Sequence, residues 1–150
     1  MTRLMTEDNL KAEAAMIQMV ERGASWLDSM NPLWWMQINT DNLDIMDSNQ
    51  CICGQFFCED ALSSIKDDEY EYVYDDGYQY AMNKYFDGNE TEMIRRGFQA
   101  VTNYSAKNED FDDIIHSSIY RNPNSQYHFL GYEWVRQIYI RTDKYGATSK

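Results

Sequence analysis

The sequence predicts a mainly α-helical single domain of five to six helices spanning residues 1–150. Three observations carry this. Apolar residues recur at spacings of three and four over most of the chain, and capping and breaking residues bracket those stretches. The third is composition: 150 residues, 43% hydrophobic and 15% aromatic, enough to bury roughly two-thirds of the unfolded surface. That excludes intrinsic disorder despite a mean hydropathy of -0.69. A short hairpin near 69–80 is the one place where strand enters, so α+β is the alternative class.

The first helix is read over about 7–29. Thr6 caps it, Glu7 and Asp8 suit its positive end, and Leu10, Ala14, Ile17, Val20, Ala24, Leu27 and Met30 form its stripe. Asn31-Pro32 ends it. Trp26, Trp34 and Trp35 cluster there and read as core anchors. Residues 39–50 read as loop, followed by a short helix over 49–58 capped by Ser48 or Asn49. Leu62 and Ile65 suggest a helical turn, whereas Tyr70, Tyr72 and Tyr74 alternate with Glu69, Glu71 and Val73 in a strand pattern.

A helix from Asp76 presents Tyr78, Ala81, Met82, Tyr85 and Phe86 and closes at Asp87-Gly88-Asn89. Another runs from Glu90 to Arg96 and stops at Gly97. Helix 109–121 buries Phe111, Ile114, Ile115 and Ile119 and ends at Asn122-Pro123. A last helix, about 127–141, carries Phe129, Leu130, Trp134, Val135, Ile138 and Tyr139. Residues 142–150 read as a frayed, mildly basic tail.

Charge narrows the function classes. The net charge is -12, and residues 59–92 alone hold 11 acids against two bases, Lys66 and Lys84. Such a surface repels phosphate and anionic lipid and attracts cationic protein surfaces. No apolar run is long enough to span a membrane, and residues 1–8 hold no apolar leader, so a cytoplasmic protein is expected. Catalytic fingerprints are missing: there is no G-x-S-x-G, H-E-x-x-H, phosphate-cradling glycine loop or dinucleotide motif. The expectation is a non-enzyme without a cofactor.

Cys51, Cys53 and Cys58 lie within eight residues. With His116 or His128 as a fourth ligand they are candidate metal ligands, but a second short-spaced pair is missing. The competing reading makes them small buried hydrophobes. A Cys/His metal-binding protein is therefore an alternative rather than the leading expectation.

Several segments together resemble small, uncharacterised bacteriophage-encoded proteins of the actinobacteriophage type. They are R-G-A-S-W-L-D at 22–28, Pro32 followed by tryptophan, L-D-I at 43–45, C-I-C-G-Q-F at 51–56, Y-D-D-G at 74–77, R-R-G-F at 95–98 and a late helix containing Trp134. The succession covers roughly residues 20–140. The resemblance implies a phage origin and a soluble intracellular protein, and no activity. It also implies that residues 57–73 are an acidic insert, because the related chains pass almost directly from G-Q-F to Y-D-D-G.

These readings converge on a protein-binding inhibitor whose carboxylates stand in for phosphates in a basic groove of a host nucleic-acid-binding protein. The phage resemblance adds nucleases, restriction enzymes and CRISPR effectors as partner classes. The candidate contact residues are Glu59, Asp60, Asp67, Asp68, Glu69, Tyr70, Glu71, Tyr72, Tyr74, Asp75 and Asp76. Interleaved tyrosines suit an interface because they cover large areas at little entropic cost. The runner-up is an accessory or structural phage protein acting through an aromatic interface.

Overall fold

A computed structural model describes residues 6–64, 76–102 and 108–148, and every element among them is helical. Helix α1 spans Glu7–Met30, α2 Ile52–Phe56, α3 Cys58–Ser64, α4 Gly77–Phe86, α5 Glu90–Arg95, α6 Asp112–Ile115 and α7 Pro123–Thr148. Short 3-10 turns cover Trp34–Gln37 and Glu109–Phe111. The mainly α class holds, with seven α-helices among the described residues rather than five or six. The extra helix arises because the expected 49–58 helix breaks at Phe57, whose ring is buried, and restarts as α3. The second half of the expected hairpin, residues 77–80, is the first turn of α4; residues 69–75 lie outside the described residues.

Helix α1 starts as its sequence dictates, with Thr6 Oγ1 accepting from the Asn9 amide at 3.2 Å. Its buried face, however, is Asn9, Ala12, Met16, Met19, Val20, Gly23, Ala24 and Leu27. Leu10 and Met30, expected on that face, are exposed. A glycine and an asparagine fill core positions, so counting apolar residues alone rotates the stripe. At Gly23 an added Cβ would lie 2.0 Å from the Arg96 carbonyl oxygen and 2.9 Å from the Trp134 ring. Only glycine admits that approach.

Helix α7 crosses α1 and buries Leu130, Trp134 and Ile138. Pro123, expected to separate two helices, is its first residue, where a missing N–H costs nothing. The expected frayed tail instead continues α7 through Thr148, with Tyr145 edge-on to Trp35 at 5.6 Å. Helix 109–121, in contrast, stops at Ile115. Ser117 Oγ donates to Asn9 Oδ1 at 2.6 Å and accepts from the Tyr120 amide, and Asn9 Oδ1 also receives the Ile119 amide. These side-chain bonds replace the ladder that a continuing helix needs.

Helices α1, α6 and α7 form one packed group, and α2, α3 and α4 a second. Helix α5 touches both α1 and α4 and joins the groups. It ends in a Schellman arrangement: Gly97 has φ 74°, and the Phe98 and Gly97 amides donate to Met93 and Ile94. Arg141 clamps α7 to α1 through two bonds to Asp28, 2.6 and 2.9 Å, while the Trp34 indole donates to the same carboxylate. Burial pushes the Asp28 carboxyl up, but the Arg141 and Trp34 bonds and the fields of Arg141 and Lys144 outweigh it. The net pKa falls below the ordinary 3.8.

Three substitutions test this packing. Gly23→Ala loses about 1–3 kcal/mol by forcing α1 off α5 and α7. Gly131→Ala, whose Cβ would meet only Ile45 at 4.0 Å, gains up to about 1 kcal/mol of helix propensity. Urea unfolding of both checks this, and shifts of the same sign contradict it. Asp28→Asn is expected to cost about 1 kcal/mol at neutral pH, screened because the pair is partly exposed. Since a lowered folded pKa stabilises only the ionised form, the gap from the parent protein closes as pH falls below 3.8. Thermal melts across that range test the sign.

Candidate functional site

The site begins in the loop between the 3-10 turn and α2. Asn39, Asp44 and Asp47 each accept, through Oδ1, the amide two residues ahead. These Asx turns bend the chain without help from regular structure. The Gln55 side chain pins both ends of the loop, accepting from the Asn39 amide and donating to the Asn39 and Gln50 carbonyls. Asp41, Asp44 and Asp47 are exposed along it. Residues 39–64 contain five carboxylates, the others being Glu59 and Asp60, and no lysine or arginine.

Glu59 and Asp60 occupy the first turn of α3 and are exposed. There they complement the positive end of the helix and remain open to a partner. Asp76 has a different position. Its Oδ1 caps α4 by accepting from the Gln79 amide at 2.7 Å, and its Oδ2 accepts from Ser48 Oγ at 3.0 Å. Next to it, a Cβ on Gly77 would lie 2.3 Å from the Cys53 carbonyl, so α4 starts in backbone contact with α2. Asp76 was expected to face a partner. It is instead half-buried and used within the fold, because an aspartate one residue before a helix is the preferred acceptor for its free amides. Asp67, Asp68, Glu69, Tyr70, Glu71, Tyr72, Tyr74 and Asp75 lie outside the described residues.

The start of the implied insert at 57–73 is packed into the fold. Phe57 and Ala61 are buried, and Phe57 packs on Trp26 at 6.0 Å and on Tyr85 at 5.6 Å. Residues 57–64 therefore belong to the packed structure. Neighbouring tyrosines are also put to use: the Tyr78 hydroxyl donates to Gln99, and Tyr80 packs on the core. Tyr85 remains exposed.

Cations are drawn elsewhere. Arg95 and Arg96 pair with Glu92, Arg95 also with Asp110, Arg136 with Glu133, Arg141 with Asp28, and Lys11 with Glu7. Residues 39–64 take part in none of these pairs. Bonds from Arg96, then Arg95, hold the Glu92 carboxyl below its ordinary range against the opposing effect of burial. The acids of 41–60 are in none of these pairs, although Lys84 acts on Asp60 through its field, while the named cations pair along α1, α5 and α7.

The cysteines divide. Cys51 and Cys53 are buried, and Cys58 is exposed. Cys51 caps α2, its Sγ accepting from the Gly54 amide, which displaces the expected Ser48 or Asn49 cap. Burial pushes the Cys51 thiol up to about 12 and raises that of Cys53 as well. Among the described residues no three His, Cys, Asp or Glu side chains gather as a metal set, and His116 and His128 are both exposed. No described helix is long and apolar enough to cross a membrane.

Asp76→Ala is expected to cost about 0.5–2 kcal/mol by removing the α4 cap, whereas Glu59→Gln and Asp60→Asn leave stability within about 0.5 kcal/mol. Chemical denaturation distinguishes them. A thiol-reactive dye at pH 8 is expected to label Cys58 quickly and the other two only on unfolding. Rapid labelling of all three would contradict the burial of α2.

Compared with protein-family models, curated proteins and solved structures, the chain has no match.

Proposed function

We propose that this protein is an inhibitor of the nucleic-acid-mimic class, which offers carboxylates to a basic groove of a host protein. The observation that carries the reading is the charge of residues 39–64, five exposed acids in a stretch with no lysine or arginine, with Lys84 of α4 near Asp60. Two packed helices frame the rest of the acidic sequence, α3 ending at Ser64 and α4 capped by Asp76. Duplex DNA carries about one charge per 1.7 Å of axis, so a mimic needs many acids close together. The sequence from 39 to 76 supplies 11 acids against Lys66.

The chemistry is association rather than catalysis. A surface of this charge speeds encounter with a cationic groove by about 10–1000-fold at low salt. Its ion-paired cations face other acids of the same chain and do not compete. The resemblance to phage-encoded proteins directs the search for a partner to nucleases, restriction enzymes and CRISPR effectors.

The test is affinity capture from host lysate at two salt concentrations. The parent protein is compared with a variant in which Glu59, Asp60, Asp67, Asp68, Glu69, Glu71 and Asp75 become amides and Asp76 is kept. The parent is expected to retain a nucleic-acid-binding protein at low salt and release it at high salt. The variant folds, by circular dichroism, and captures nothing. Capture that survives both neutralisation and salt would overturn the reading.

A further inference from the structure

A groove of about 600 Å³ runs between the 40–46 loop and the start of α7. Leu43, Ile45 and Val135 line it, Gly131 leaves room in it, and Met46 and Tyr132 stand on its walls. These last two are 61% and 77% exposed, so that together with the aliphatic floor they form a joined apolar surface. Gly131 lies inside a 26-residue helix, where glycine is unfavourable by about 1 kcal/mol relative to alanine. At that position a side chain would meet little of the fold, its nearest neighbour being Ile45 at 4.0 Å. Packing does not require the glycine.

We propose that this groove docks a basic, amphipathic helix of a partner protein. Charge complementarity identifies the occupant. Asp44 lies on the groove itself, and Asp41 and Asp47 are exposed on the same loop. No lysine or arginine lines the groove; His128, on the α7 side, is its one basic side chain. The floor is aliphatic and one wall is a flexible methionine, a surface that receives the i, i+3, i+4 and i+7 side chains of a helix. Walls this exposed leave a small ligand largely in water, whereas such ligands bind with about 70–90% of their surface covered. Strand addition needs a sheet edge, and the described residues contain no strand.

This contact shares Asp41, Asp44 and Asp47 with the acidic stretch that carries the inhibitor reading and none of residues 59–76, so substitutions at the two places tell the failure of one from the failure of the other. The probe is a fluorescein-labelled 18-residue helical peptide of leucine and lysine with one apolar face, read by anisotropy against the full chain. Two controls keep its length: a scrambled peptide without an apolar face, and one with glutamate in place of lysine. Saturable binding is expected for the amphipathic basic peptide alone. Met46→Asp with Tyr132→Ala, both at exposed positions, is expected to weaken it at least about tenfold. Gly131→Leu, which fills the groove, should do the same.

Neutralising Glu59, Asp60, Asp67, Asp68, Glu69, Glu71 and Asp75 should leave the apolar contribution intact, so that the amphipathic peptide still outcompetes the scrambled one. Equal binding of the scrambled peptide, or binding unchanged in both groove variants, would overturn the proposal. So would sedimentation showing a dimer that Met46→Asp dissolves, since the occupant would then be a second copy.

Discussion

The fold depends on how the Trp134 indole is held. The ring is fully buried, stacks on Phe98 at 5.3 Å with an 11° tilt, and stands edge-on to Trp34 at 5.8 Å. Its Nε1–H donates to the Gly97 carbonyl at 2.7 Å. Gly23 lies against the same ring, where a Cβ could not fit. One side chain therefore joins α1, the end of α5, the 3-10 turn after α1 and α7. Burying an indole of about 150–250 Å² is worth on the order of 4–6 kcal/mol at 25 cal/mol per Å², an upper figure because the unfolded chain is partly collapsed.

That arrangement also governs the charges. Because α7 crosses α1 around Trp134, Arg141 comes within reach of Asp28, and Trp34 donates to the same carboxylate. Arg95 and Arg96, at the end of α5, turn to Glu92 and Asp110. Arg95, Arg96, Arg136 and Arg141 thus pair with acids of their own or neighbouring helices and turns. The loop and helices from 39 to 64, tied to the rest through Gln55, Phe57 and Asp76, contribute acids and no cation. The stretch from 39 to 64 is thus a local run of acids with no lysine or arginine of its own, and the inhibitor reading and the groove reading both draw on it.

Much of this was legible in the sequence where the signal is local. Thr6, Asn31-Pro32, Asp87-Gly88 and Gly97 mark helix ends as their backbone chemistry requires, and the loop over 39–50 follows from its Asn and Asp residues. What the sequence concealed is non-local. Asn9 breaks a helix 108 residues away by receiving Ser117. Gln126 is buried because its amide pairs with both backbone groups of Val101, which no periodicity reports. The α1 stripe was misread by its glycine and asparagine. Asp76 looked like one more surface acid because the residue that needs it, Gln79, becomes a helical donor only once α4 forms. The separate surface of 41–47 was missed too, although the absence of any lysine or arginine from 39–64 was there to be counted.

Native-state hydrogen exchange on Trp134→Phe tests the central dependence most directly. Phenylalanine keeps most of the ring but leaves the buried Gly97 carbonyl without its donor, a loss of about 1–3 kcal/mol. If the indole joins the groups as described, the slow amides of α1, α5 and α7 accelerate together, by one common factor of about 5–150. Acceleration confined to residues 94–98, with α1 and α7 exchanging as before, would contradict it.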